Sequence, residues 1–355
     1  MLEFRDKPTT QALIKEIEKL NPKKDLKVMH VCGTHEMTLA RWGLRKLLPT
    51  NIKLICGPGC PVCVTSALEI DFAIKIVKEE DVILTTFGDM FRVPGTDSSL
   101  SETKSQGADV RVIYGIDEAI KIARKTKKPV VHFSIGFETT APMIASEILE
   151  NEMLKNFSII CSHRLIPPAM NYLLSCKDIK IDGFICPGHV STIIGSEPYK
   201  ILAKKFAKPM VIAGFEPNDV LLSVLMILKQ IKDEKPKVEN EYVRVVKNEG
   251  NIVAQKIMND VFEMCEKEWR GIGAIPNSGL KLKNKFAKFD AEKKFGLKIK
   301  KSRDIKPGCK CGEIMKGKDV PQDCPYFGKI CTPERPIGAC MVSIEGACYI
   351  TYNYS

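Results

Sequence analysis

Cysteine dominates the chemistry this chain can offer, and its cysteines are clustered. Cys32 opens the motif CGTHE. Cys56, Cys60 and Cys63 lie in CGPGCPVC. Six more, Cys309, Cys311, Cys324, Cys331, Cys340 and Cys348, crowd the C-terminal tail. The N-terminal stretch MLEFRDKPTTQALIKEIEKL is charged and has no apolar core, so it does not read as a signal peptide. The longest apolar run, Val220 to Leu228, is too short to cross a membrane. The expected location is the cytoplasm, where thiols stay reduced and structural disulfides are rare. Metal ligation and thiol redox chemistry then explain fourteen cysteines better than a disulfide framework does.

Cys32 is expected where a strand ends and a helix begins. A helix N-terminus lowers a thiol pKa, which predicts a thiolate near neutral pH. With His35 and Glu36 close behind, this suits a metal-binding or nucleophilic cysteine with a proton-handling neighbour. The plainer alternative is a small core residue. Cys60-Pro61-Val62-Cys63 is a C-x-x-C pair in a Gly/Pro turn. Its spacing permits a reversible dithiol, or half of a zinc site with Cys56 and His35 as further donors. The redox reading is preferred. The six tail thiols exceed the four that a cubane 4Fe–4S cluster takes, leaving two for one disulfide beside it. Cys309 and Cys311 are expected to split between these roles, and spacing alone does not choose the ligands. Cys161, Cys176, Cys186 and Cys265 read as core or incidental, although Cys186 sits in a motif loop. His30 and His132 alternate with apolar residues and read as packed, whereas His163 and His189, at strand ends, are site candidates. GFETTAP and GFEP place Glu138 and Glu216 at helix starts, where the helix dipole accounts for them as well as a functional role does.

Such residues need a scaffold, and the apolar runs supply one. Leu26–Cys32, Ile52–Cys56, Val82–Thr86, Val110–Tyr114, Val130–Ile135, Phe157–Cys161, Gly183–Cys186 and Pro209–Ala213 are short, continuous and rich in Val and Ile, as buried parallel strands are. Helical patterns separate most of them, which predicts α/β sheets. The unusual residues recur at the carboxyl ends of these strands, where open α/β sheets bind ligands. The strands divide into two sets of four near Lys125–Lys128. This predicts two similar parallel-sheet α/β domains facing a cleft, residues 22–126 and 127–235. Residues 236–355, with the N-terminal helix 1–21, are expected to form a mainly irregular and helical iron–sulfur domain. Lys232–Glu241 reads as a linker and Asn251–Trp269 as a helix. The tail lacks periodicity and would need a metal staple.

The formal charge is +11. Lys281–Arg303 carries ten Lys or Arg against Asp290 and Glu292. Few aromatics accompany them, so nucleic acid is not the expected partner. A solvated basic face is the first reading, and an acidic protein partner the second.

Taken together, CGTHE, GPGCPVC, TFGDMFRVPG, GFETTAP, CPGHVS, AGFEP and the tail PGCKCGEIMKG…CPYFGKICTPERPIGACMVSIEGACY resemble, nearly from end to end, the HypD family of hydrogenase maturation factors. The resemblance implies a metallocentre-assembly scaffold rather than a conventional small-molecule enzyme. Its product would be the Fe(CN)2CO centre of nickel–iron hydrogenases, built with a small HypC-like chaperone that shares the iron and a HypE-like cyanide donor, with HypF upstream. By motif, Cys32 would bind the iron, His35 would assist, and Glu138 and His189 would line the cleft. Cys60 and Cys63 would be a redox-active dithiol. Cys309, Cys324, Cys331 and Cys348 would hold the 4Fe–4S cluster, and Cys311 and Cys340 would be the remaining disulfide pair, a layout similar to ferredoxin–thioredoxin reductase. The alternative is a stand-alone iron–sulfur thiol–disulfide oxidoreductase of that type.

Overall fold

A computed structural model describes residues 4–354. All eight expected strands are present, within a residue or two of their predicted ends. They are β1 Leu26–His30, β2 Ile52–Cys56, β3 Ile83–Phe87, β4 Val110–Ile113, β5 Val130–Gly136, β6 Phe157–His163, β7 Gly183–Pro187 and β8 Met210–Ala213. Burial on both faces of the inner strands, complete along β5, explains why they read as continuous apolar runs, whereas the edge strands β2 and β4 expose Lys53, Arg111 and Val112.

The partition of these strands differs from the expected one. One parallel sheet has the order β2-β1-β7-β8-β9 and the other β4-β3-β5-β6. The chain lays down β1 and β2, builds the second sheet with the next four strands, then returns to finish the first. A cut near residues 125–128 therefore divides the second sheet. Short helical crossovers allow either partition, and only side-chain packing selects one. The expected linker holds a ninth strand, β9 Val238–Asn240, which adds to the edge of β8.

The expected helix Asn251–Trp269 is half right. The helix Ile252–Val261 is capped by the Asn251 side chain, which accepts from the Ala254 amide. The chain then turns into β10 Phe262–Trp269, which pairs antiparallel with β11 Gly273–Leu282. Phe262, Leu280 and Leu282 cover one face of the second sheet with Phe157 and Ile159. That tertiary burial overrides a helical pattern which β10, with Glu and Lys at most interior positions, satisfies equally well.

The N-terminal helix Lys7–Leu20 packs on the helix Pro217–Lys232, over the outer face of the first sheet, not with the cysteine-rich tail. The tail itself is mostly irregular, with short helices at Cys311–Met315, Ala339–Val342 and Ala347–Tyr354. It buries Ile314, Met315, Met341 and Val342 in a common core with Met29, Val62, Val64, Leu84 and Phe133. It is thus seated between both sheets rather than hung from one. Among the described residues, no helix is long and apolar enough to cross a membrane.

Candidate metal and thiol site

Each sheet has one place where neighbouring strands lead off in opposite directions. In the first sheet it lies between β1 and β7, and in the second between β3 and β5. Such switch points leave a crevice at the carboxyl ends of the strands. Cys32 follows β1, Cys186-Pro187-Gly188-His189 ends β7, Gly88-Asp89 follows β3 and Phe137-Glu138 follows β5. The Cys56–Cys63 segment and the tail fill the space between. The Gly33 amide donates to the Gly59 carbonyl at 3.2 Å. A Cβ on Gly59 would collide with the backbone of Cys32, and one on Gly33 with Glu345. Both glycines are required by these close approaches. Asp89 Oδ2 accepts from Ser343 Oγ at 3.0 Å and from the Ile344 amide at 3.2 Å, tying the second sheet to the same tail turn.

Cys32 is the N-cap of the helix Gly33–Arg41, as expected. Its thiol does not have the expected low pKa. Only 8% of Cys32 is exposed. Burial, and secondarily the Glu345 carboxylate, push it up to about 11, against the opposing effect of the Thr34 and His35 amides. A helix end of nine residues does not offset full desolvation of the charged form. Cys32 is therefore a neutral thiol at neutral pH.

His35 is fully buried. Its Nε2–H donates to the Gly214 carbonyl at 2.9 Å, and Nδ1 has no partner. Burial lowers its pKa to about 3, so it is neutral with a free lone pair on Nδ1. Phe215 lies 5.0 Å from His35 and stacks at 4.0 Å on His189, which is exposed at the rim.

His30 is packed, as the alternation of β1 predicts, and its ring also bonds to the Cys32 turn. Its Nδ1 donates to the Cys32 carbonyl at 3.2 Å, and its Nε2 lies 2.7 Å from Glu36 Oε2. Arg45 forks the same carboxylate at 3.0 and 2.6 Å. Burial opposes ionisation of Glu36, but Arg45 and His30 outweigh it and hold its pKa at about 2. The half-buried Cys56 completes a group of His, Glu and Cys donors. The signal available in the sequence was position: His30 stands two residues before Cys32, at the carboxyl end of its strand.

The six tail thiols surround one small cavity, together with Phe327, Gly338 and Met341. Cys311 is a neighbour of both Cys309 and Cys340, and a Cβ on Gly338 would meet the Sγ atoms of Cys309 and Cys311 at 3.2 and 3.4 Å. Cys348 is within electrostatic reach of Cys311, Cys309, Cys331 and Cys324, and Cys340 is within reach of Cys348, Cys56 and Cys309. Cys340 is thus on the side facing the first sheet. Cys311 and Cys340 are adjacent free thiols, not a disulfide. A sulfur-only donor set of this size fits a 4Fe–4S cluster with two thiols to spare. Cys60 and Cys63 are joined as a disulfide. Their turn, Pro61–Val64, packs against the helix Ala339–Val342 that carries Cys340.

Glu138 is buried, its Oε1 accepting from the Ile166 amide at 3.0 Å and its Oε2 unpartnered. Burial raises its pKa to about 8. The buried Tyr199 hydroxyl is within electrostatic reach of Cys186, Glu138 and Cys32, which places these groups around one interior region. His163 is not brought there. It lies against Phe262 at 5.8 Å, under the β10–β11 hairpin.

The family described as HypD, hydrogenase formation hypA family, matches residues 8–355. A hydrogenase expression/formation protein of Methanocaldococcus jannaschii is 49% identical over 100% of this chain and 99% of its own length. The hydrogenase maturation factor HypD2 of Bradyrhizobium diazoefficiens is 46% identical, and the HypD of Cupriavidus necator 42%; each alignment covers 99% of this chain and 96% of the relative. The cysteine-lined cavity and the strand-end motifs are therefore those of a member of the HypD hydrogenase maturation factor family, to which this chain belongs.

Proposed function

We propose that this protein is the scaffold on which the Fe(CN)2CO unit of a nickel–iron hydrogenase is assembled, within a crevice between two α/β units. The observation that carries this reading is spatial. The Cys60–Cys63 disulfide and most of the six-thiol cavity share one packed core, and the Cys32 turn adjoins both through the Gly33–Gly59 hydrogen bond and the close approach of Gly33 to Glu345. Iron is the substrate here. Cys32 supplies a soft thiolate to it, losing its proton as the bond forms. The first-turn amides of the helix Gly33–Arg41 favour anions such as cyanide. The free Nδ1 of His35 accepts a proton or a donor from the bound unit. A HypC-like chaperone would contribute the second iron ligand, and a HypE-like protein, served by HypF, the cyanide.

The four cysteines Cys309, Cys324, Cys331 and Cys348 would hold a 4Fe–4S cluster, which supplies one-electron chemistry when bound. Cys311 and Cys340 form the dithiol next to them. Its exchange with Cys60–Cys63 balances: one disulfide is reduced to two thiols as two thiols become one disulfide. Packing of the Cys340 helix on the Cys60–Cys63 turn supports exchange between the two pairs. Partner contact is expected on exposed apolar residues flanking the crevice. Ile344 stands beside Glu345, and Val245, Ile252 and Val253 surround Thr192 on the helix that begins at Gly188.

The same thiol chain would serve a stand-alone disulfide reductase. Such an enzyme has no use for a buried Cys32 and a neutral His35. Infrared spectroscopy of the protein purified with its partners separates the two readings. Cyanide and carbon monoxide stretches are expected, and are expected to vanish in Cys32→Ser. Their persistence in that variant would overturn the assignment of Cys32.

A further inference from the structure

We propose that His30, Glu36 and Cys56 form a second metal site, which takes up a divalent first-row transition ion on its way to Cys32. The donors, His30 Nε2, a Glu36 carboxylate oxygen and Cys56 Sγ, all lie within 4.8 Å of one another. A tetrahedral ion with donors about 2.0–2.3 Å away would space them by roughly 3.3–3.8 Å, so the 2.7 Å His30–Glu36 contact must open slightly and the wider spacings close by up to about one ångström. One nitrogen, one oxygen and one sulfur suit iron, cobalt or zinc. They do not suit magnesium or calcium, which take oxygen.

The surroundings are those of a built site. His30 Nδ1 donates to the Cys32 carbonyl, which orients the ring and directs Nε2 at Glu36. Arg45 fixes the Glu36 carboxylate and donates from Nε to the Leu54 carbonyl at 3.1 Å. Outer contacts of this kind set ligand orientation in metal sites. Glu36 and Cys56 also line a groove of about 530 Å³ between the first sheet and the tail. Cys32 is not among the residues lining it. An ion entering by this groove meets Glu36 and Cys56, with His30 directly behind Glu36, before it meets Cys32.

Two features make the site exchangeable rather than structural. Three protein donors leave coordination positions open, unlike the closed four-donor sets of structural sites. The Arg45 guanidinium beside the ion also weakens its hold. The entering ion replaces the proton between His30 and Glu36 and the thiol proton of Cys56, and both leave through the groove. The role as a way-station rests on Cys32 being the iron acceptor; the existence of the site does not.

Anaerobic titration of the full-length, cluster-loaded protein with Co²⁺ alone tests this through the thiolate-to-metal absorption band. One equivalent is expected, with unchanged affinity in Cys32→Ser. In Cys56→Ser the band should be lost and binding weakened by about tenfold or more. Cys56 lies outside the Glu36 ion pairs, so an unchanged thermal midpoint should accompany that variant. If Cys56→Ser binds Co²⁺ as the parent does, or if Cys32→Ser removes the band, the site is refuted. A Cys56→Ser protein that loads iron onto Cys32 at the parental rate overturns the way-station role. Cyanide and carbon monoxide bands that survive in Cys32→Ser would overturn the iron-acceptor reading and leave the Co²⁺ result standing.

Discussion

Cys32 hangs from a strand hydrogen-bonded on both sides, by β2 and by β7, whereas the six tail thiols hang from turns and helices of no more than eight residues. The sheet holds the Cys32 turn in place whether or not metal is present, and glycines let neighbouring backbone press against it. The tail borrows part of its core from the sheets, and its own interior is mainly sulfur. A preformed site should lose function without losing structure. A site made of turns should lose both.

The largest expected effect is therefore in the tail. Replacing any of Cys309, Cys324, Cys331 or Cys348 by Ala should bleach the protein and unfold the segment around residues 305–354. Binding free energy at structural metal sites, on the order of 10 kcal/mol, is folding free energy. Iron counts and limited proteolysis would read it. A tail that stays protease-resistant after losing iron would erase the contrast.

Cys32→Ser tests the other side of it. Visible absorption and thermal midpoint should match the parent, while the iron centre is lost. A bleached Cys32→Ser protein would show that this cysteine belongs to the cluster instead.

Cys311→Ala and Cys340→Ala sharpen the comparison within the tail. They should keep iron and absorption and leave Cys60–Cys63 oxidised on addition of reductant, as read by thiol trapping. Equal iron loss in all six tail variants would defeat the division into ligands and dithiol.

The smallest effect expected is on pH dependence. Burial raises Glu138 from 4.5 to about 8, so the folded chain keeps a proton that the unfolded chain releases. The stability this provides is fully present below about pH 4.5 and is lost as pH rises towards 8. Glu138→Gln should flatten the fall of the thermal midpoint between pH 5 and 8. An unchanged slope would mean that Glu138 is not the group responsible.

Composition and local pattern determined much about this protein. Eight strands, the placement of CGTHE and GFETTAP at strand ends, and the gathering of the tail thiols follow from period, turn residues and cysteine density. These are local properties, so a single chain displays them. Sheet membership was decided only by tertiary structure. Helical crossovers are compatible with either partition, and the choice depends on which faces bury each other across more than a hundred residues. The same holds for β10, where burial against Phe157 and Ile159 outweighs a local helical option. It holds for Cys32, whose helix position argues for a thiolate until desolvation is counted. It holds for His30, which looks like a core residue until the fold brings Glu36 and Cys56 to its ring. Spacing along a chain sets what a residue can do. The groups that press on it from distant segments decide its charge and its partners.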